Sequence, residues 1–86
     1  MYLHLGQNVV VPETSVIGIF DMDNTTGSHI TRKFLSEAEL AGRVSSVSEE
    51  LPKSFIVCGE DIEMKVYLSQ LSSLTLLKRS GTIRFD

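Results

Sequence analysis

Residues 54–69 read Ser-Phe-Ile-Val-Cys-Gly-Glu-Asp-Ile-Glu-Met-Lys-Val-Tyr-Leu-Ser and carry the clearest strand pattern in the chain. The first part, Ser54–Cys58, is apolar at nearly every position, which is typical of a central strand covered on both faces. After a turn at Gly59–Asp61, apolar and polar side chains alternate from Ile62 to Leu68, as in a strand with one buried face. We therefore predict a β-hairpin in this stretch.

The residues upstream predict three more strands. Leu3 and Leu5 alternate with polar neighbours, and Gly6–Asn8 reads as a tight turn into the β-branched run Val9–Val11. This pattern favours a first hairpin. Ser15–Phe20 is again apolar at nearly every position, so we predict a second central strand there.

Two segments have the pattern of helices. In Ser28–Ala41 the apolar side chains recur on one stripe, and Gly42 supplies the left-handed residue that commonly ends a helix. A shorter helix is predicted over Leu74–Arg79, where two cations suit the negative end of the helix dipole. The hydroxyl groups available to cap these helices belong to Thr26, Ser28, Ser72 and Ser73.

The order β-β-β-α-β-β-α predicts an α+β fold with a small, mostly antiparallel sheet and one main helix. We expect a single domain over residues 1–81 and a short C-terminal tail over 82–86. Two strands are apolar on both sides, yet the two helices cover only about one sheet face. The other face is expected to meet a second copy, in a ring-forming homo-oligomer. The candidate interface residues are Val16, Ile19, Phe55, Val57, Ile83 and Phe85.

The overall composition limits the classes of function. The chain has 86 residues, 42% of them hydrophobic and 22% charged, as in an ordinary globular domain. Its net charge of −3 lacks the basic excess of a typical nucleic-acid or membrane binder, so any site for a polyanion must be local. The single cysteine, Cys58, excludes an internal disulfide and favours the cytoplasm. We predict neither a leader peptide nor a membrane span.

One stretch looks catalytic. Asp21, Asp23 and Thr25 follow an apolar strand in the Asp-x-Asp-x-Thr pattern of the haloacid dehalogenase-type phosphatases, where the first aspartate is the nucleophile. The chain lacks the later acidic pair and is too short for a doubly wound sheet. We therefore expect turn and helix-cap chemistry here, and no enzyme, cofactor or small-molecule substrate. His4 and His29 have no partners at metal-ligand spacing, so no metal site is expected.

The cations are the remaining candidates for function. The candidate DNA-binding residues are Arg32, Lys33, Arg43, Lys53, Lys78 and Arg79. Most of them lie at the ends of elements or in loops, from which a long cation can reach a phosphate. A single copy offers few contacts, but a ring repeats them, and salt-dependent affinity rises steeply with their number.

Several segments, in this order and spacing, resemble a known family. They are Met1–Gly6, Val9–Pro12, Ile17–Asp21, Thr25–Thr26, Thr31–Leu35, Leu51–Val57, Tyr67–Ser69, Leu71–Ser73, Thr75–Leu76 and Lys78–Arg79. Together they resemble the RemA/RemB-type extracellular-matrix regulatory proteins of Gram-positive bacteria, and the RemB type more closely. The resemblance implies a cytoplasmic, non-enzymatic regulator of biofilm-matrix genes. For the RemA type it also implies ring-forming subunits that bind DNA.

The chain departs from the RemA type in one loop. RemA-type members carry paired arginines before the strand that corresponds to Ser54–Cys58, whereas this chain has Glu49, Glu50 and Lys53 there. Two anions in place of two cations repel phosphate. Two hypotheses therefore stay open: a transcriptional regulator that contacts the DNA backbone as an oligomer, and an assembly or protein-interaction module of the same fold.

Overall fold

The computed structural model describes residues 1–22, 29–60 and 63–79. Within these residues the chain forms a small α+β fold, which confirms the predicted class. The elements in chain order are β1 Tyr2–Gly6, β2 Val9–Pro12, a 3-10 turn at Glu13–Ser15, β3 Val16–Asp21, α1 His29–Leu40, β4 Val44–Ser46, β5 Ser54–Glu60, β6 Glu63–Ser69 and α2 Ser73–Arg79.

A four-stranded sheet in the order β3-β5-β6-β4 forms the centre of the fold. β5 pairs antiparallel with β6, placing Phe55 opposite Leu68 and Val57 opposite Val66. On its other side β5 pairs antiparallel with β3, where Phe20 lies opposite Phe55. The predicted hairpin and the central position of β5 are confirmed.

The predicted central position of the strand at Ser15–Phe20 is wrong. Among the described residues, β3 is an edge strand of the four-stranded sheet, and two of its large side chains, Ile17 and Phe20, are 63% and 39% exposed. The reason is that β1 and β2 pair with each other in a separate two-stranded sheet and do not extend the sheet beyond β3.

The sequence pattern missed β4, which makes the sheet mixed. Val44–Ser46 pairs in parallel with β6. The amide of Val66 donates to the carbonyl of Arg43 at 2.9 Å, and the amide of Val47 donates to the carbonyl of Leu68 at 2.9 Å. A three-residue strand with two serines has too little alternation to be recognised, because its partner strand supplies most of its stability.

The central sheet has a hydrophobic cluster on each face. Alternation along β5 sends Ile56 and Cys58 to one face and Phe55 and Val57 to the other. We call the first the hairpin face, since β1, β2 and α2 cover it through Leu3, Leu5, Val11 and Leu76. We call the second the helix face, since α1 covers it through Ala38, Phe34 and Leu35.

The prediction of an uncovered sheet face is therefore wrong. It counted only the helices as cover, whereas the β1–β2 hairpin folds over the sheet as a layer of its own. Both faces thus carry elements of the chain itself, although Ile17 and Phe20 of β3 stay exposed. The argument for a second copy from a face without any cover does not hold, and the ring itself stays a prediction.

Buried serines fasten the hairpin layer to the sheet. The Ser69 hydroxyl donates to the carbonyl of Leu5 at 2.6 Å and accepts from the amide of Leu71 at 3.0 Å. The Ser54 hydroxyl donates to the carbonyl of Leu71 at 2.8 Å. Both serines are fully buried, so these bonds satisfy polar groups that water cannot reach.

The helix ends agree with the sequence to within a residue. α1 ends at Leu40, and Gly42 follows with φ of +74°, while its amide donates to the carbonyl of Glu39 at 3.0 Å. At the start of α2 the Ser72 hydroxyl accepts from the amide of Thr75 at 3.1 Å, so Ser72 is the cap. The caps predicted for α1, Thr26 and Ser28, lie outside the described residues.

Candidate nucleic-acid interface

All six candidate cations have exposed side chains. Arg32 and Lys33 lie in α1, on the helix face of the sheet, whereas Lys78 and Arg79 end α2, on the hairpin face. The structure therefore places these two pairs on opposite sides of the central sheet. The cations of one copy do not form a single patch.

Lys53 projects from a fixed backbone position. Its carbonyl accepts from the amide of Met22 at 3.0 Å, and its amide donates to the carbonyl of Ser69 at 2.8 Å. The side chain is exposed beside the junction of β3 and β5. A cation on such a support loses little backbone freedom when it binds an anion.

Arg43 has a neighbour that the sequence pattern did not identify. Arg43 directly precedes β4, and Val44 pairs in parallel with Val66, which places Arg43 beside Lys65 of β6. The side chains of both cations are exposed. The sequence pattern marks Lys65 only as a polar position of an alternating strand, because its proximity to Arg43 depends on the β4–β6 pairing.

An acidic loop lies between Arg43 and Lys53 in the sequence. Glu49 and Glu50 are exposed and line an open cleft of about 1030 Å³, together with Leu51, which is 86% exposed. The Glu50 amide donates to the Ser48 hydroxyl at 3.0 Å and so holds the loop in a turn. The structure therefore presents two exposed carboxylates on this loop, which repel phosphate.

The Asp-x-Asp-x-Thr stretch does not lie in the surroundings that a phosphatase of this type needs. Asp21 ends an edge strand antiparallel to β5, and the Ser73 hydroxyl donates to its Oδ2 at 3.5 Å. The described sheet is mixed and not doubly wound. Asp23 and Thr25 lie outside the described residues.

No candidate metal centre appears in the described ranges, where no three His, Cys, Asp or Glu side chains come together. His4 is exposed, with Nε2 at 2.7 Å from the carbonyl of Gln7, and Cys58 is buried in the hairpin-face cluster. The side chain of His29 lies outside the described part.

The candidate interface residues belong largely to the chain's own core. Val16 and Ile19 pack against the hairpin-face cluster, and Phe55 and Val57 are buried under α1. Ile83 and Phe85 lie outside the described residues.

None of the helices that the structure describes has the length and apolar character needed to span a membrane.

The described residues thus form a small α+β domain that presents dispersed cations and an acidic loop. No model of a known protein family matches it. It is 38% identical over 80 residues to extracellular matrix regulatory protein B of Bacillus subtilis (strain 168), covering 93% of this chain and 90% of that protein. The chain therefore belongs to the family of this regulatory protein, the RemB-like family, as the order of its segments predicts.

Proposed function

We propose that the chain regulates extracellular-matrix genes in the cytoplasm by binding the phosphate backbone of double-stranded DNA as a homo-oligomer. Its similarity, over nearly the whole chain, to a relative named as an extracellular matrix regulatory protein carries the proposal. The six exposed cations support the choice of DNA as the partner. Each releases counterions when it meets a phosphate, so binding weakens as salt rises.

The contacts are to phosphates and not to base edges. α1 carries only Arg32 and Lys33 as adjacent cations, and α2 carries Lys78 and Arg79 at its last turn. Neither helix has a series of Arg, Asn or Gln that could read successive bases in the major groove. Backbone contacts fix position on the duplex without selecting a sequence.

Several copies are needed because the cations of one copy are few and face different ways. A closed ring would repeat one cation pair at regular intervals along the DNA and raise the affinity by multivalency. A mobility-shift experiment with duplex DNA at low and moderate salt, alongside light scattering of the protein, tests this. We expect an oligomer that binds DNA, with an affinity that falls as the salt concentration rises. A stable monomer contradicts the proposal, and so does an oligomer that does not bind DNA at low salt.

The double substitution Lys78→Ala and Arg79→Ala shows whether the protein contacts the DNA backbone or the base edges. Binding should weaken alike for all duplex sequences, and the salt dependence should fall by about one unit of slope for each phosphate that is left without its cation. The matched control is Glu37→Ala with Glu39→Ala in α1, two exposed carboxylates whose removal should not weaken binding. A defect confined to one DNA sequence would contradict backbone contact.

The acidic loop favours a second candidate function, an assembly or protein-interaction module of the same fold. The exposed side chain of Leu51 beside Glu49 and Glu50 suits a protein partner better than a polyanion. If a confirmed oligomer fails to bind DNA at low salt, this candidate remains. If Glu49→Lys with Glu50→Lys leaves DNA binding unchanged, the loop lies away from the DNA.

A further inference from the structure

Two cations lie side by side where β4 meets β6. Val44 pairs in parallel with Val66, so the residues that precede them, Arg43 and Lys65, occupy neighbouring positions. Neighbouring strands are ~4.8 Å apart, which is close enough for two long side chains to reach the same small ligand. Both side chains are exposed. The sheet thus presents two positive charges at one place on its surface.

The backbone holds both cations in position. The amide of Arg43 donates to the carbonyl of Ala38 in α1 at 2.9 Å, and its carbonyl accepts from the amide of Val66 at 2.9 Å. Lys65 belongs to β6, which lies between β4 and β5, and it pairs with Cys58. Because these backbone positions are already ordered, binding of a ligand costs little further conformational freedom.

A hydroxyl group lies on the same face as the two cations. Val44 and Val66 belong to the cluster under α1. Alternation therefore turns Arg43, Ser45 and Lys65 to the hairpin face of the sheet. Ser45 is exposed and lies two residues after Arg43. A guanidinium, an ammonium and a hydroxyl are all donors, and together they suit the oxygens of a phosphate group.

The two cations do not help to hold the sheet together. Like charges at facing positions of neighbouring strands destabilise a sheet. Glu37 borders the same cavity of about 280 Å³ as Arg43, and Glu63 lies two residues before Lys65 in β6. Within the described residues neither carboxylate forms an ion pair with either cation. An anion from outside the chain would relieve the repulsion.

We propose that Arg43, Lys65 and the Ser45 hydroxyl bind one phosphate group of the DNA backbone. Arg43 can donate two parallel N–H bonds to its oxygens, and Lys65 supplies a compact charge. The inference rests on the proposed function for the identity of the ligand. It adds two residues, Ser45 and Lys65, that are not among the candidates from the sequence. Pyrophosphate offers the same oxygens in a small molecule, so the site is testable without DNA.

Titration of the isotope-labelled whole chain with pyrophosphate at low salt, followed by nuclear magnetic resonance, tests the site. We expect the amide signals of residues 43–46 and 64–67 to shift. The double variant Arg43→Gln with Lys65→Gln should bind pyrophosphate about tenfold or more weakly. Arg43→Lys with Lys65→Arg keeps both charges and should retain most of the affinity. No shift at these amides, or an unchanged affinity of the glutamine variant, overturns the proposal.

The two serines of β4 provide a matched pair of variants. Ser45→Ala removes a donor from the face of the cations, whereas Ser46→Ala makes the same change on the opposite face, and both serines are exposed. We expect Ser45→Ala to weaken pyrophosphate binding about threefold and Ser46→Ala to leave it unchanged. Equal affinities of the two variants overturn the assignment of the hydroxyl.

Duplex DNA distinguishes the failure of this inference from the failure of the proposed function. We expect the glutamine variant to bind every duplex sequence more weakly than the original chain, because the contact is to a phosphate. Unchanged DNA binding by this variant overturns the inference and leaves the proposed function standing. If the original chain binds pyrophosphate at these residues but does not bind duplex DNA, the phosphate site is confirmed, while its assignment to DNA and the proposed function are both overturned.

Discussion

A single hydroxyl joins three parts of the chain at Ser69. It donates to the carbonyl of Leu5, 64 residues away, and accepts from the amide of Leu71. Since the residue is fully buried, water cannot replace either bond. A buried polar group left without a partner costs about 1–3 kcal/mol.

The substitution Ser69→Ala should therefore lower the free energy of unfolding by about 1–3 kcal/mol, because it leaves the Leu5 carbonyl and the Leu71 amide unsatisfied. Urea unfolding at equilibrium measures the change. Ser46→Ala in β4 is the matched control, since Ser46 is exposed, and its effect should stay within about 0.5 kcal/mol. An equal change in the free energy of unfolding for both variants would show that the hydrogen bonds of Ser69 contribute nothing to stability.

The backbone at Gly42 gives a second prediction. Its φ of +74° lies in the left-handed region, and a Cβ there would meet no atom within 4 Å. The cost of Gly42→Ala is thus one of backbone conformation alone, about 1–2 kcal/mol in chemical unfolding. Gly42→Asn should cost less, because asparagine tolerates this conformation better than alanine. A larger drop in stability with asparagine would contradict the explanation.

The sequence predicts the structural roles of some of these residues and not of others. Gly42 and Ser72 are predictable because a helix end and a helix cap depend on neighbours a few residues away. The roles of Ser54 and Ser69 are not, because their partners lie 17 and 64 residues away. Pattern alone cannot distinguish a buried serine with distant partners from a serine in a loop.

Among the elements, α2 has one buried side chain, Leu76. Leu76 is completely buried in the hairpin-face cluster, whereas Leu74 of the same helix is 57% exposed. Leu76→Ala removes packing on a cluster to which both the hairpin and the sheet contribute. The unfolding free energy is expected to fall by about 2–5 kcal/mol, because less apolar surface is buried and a cavity is left behind.

Denaturant unfolding followed by far-ultraviolet circular dichroism measures this change. Leu74→Ala makes the same chemical change in the same helix and should cost less than about 1 kcal/mol. If the two variants are equally destabilised, α2 does not pack as described.

The strands show where a sequence pattern stops being informative. β5 and β6 are predictable because alternation and a local turn specify both strands and their pairing. β4 and the edge position of β3 are not, since each depends on which distant strand lies alongside. The same limit applies to the candidate site. The sequence identifies each cation separately, but it does not predict that Arg43 and Lys65 are neighbours, because that depends on the β4–β6 pairing.

At the scale of the whole molecule, changing the surface charge tests the proposed binding of DNA. If the chain binds DNA, Glu49→Gln with Glu50→Gln removes two anions from the surface near Lys53 and should raise affinity at low salt. Fluorescence anisotropy with labelled duplex DNA at several salt concentrations measures the change. The control is Glu63→Gln, an exposed carboxylate of β6. A uniform gain for all three carboxylates would indicate net charge alone, and a weaker binder would contradict the proposed site.

The layer formed by β1 and β2 has a consequence for how the protein is made. Leu3 and Leu5 are buried only when Ile56 and Leu76 are in place, so residues made early in synthesis depend on residues made much later. Pairings this distant in sequence slow folding, and the nascent chain exposes Leu3 and Leu5 until the residues that bury them have been made. Holding the nascent N-terminal residues apart from other chains is therefore a condition for a good yield of native protein.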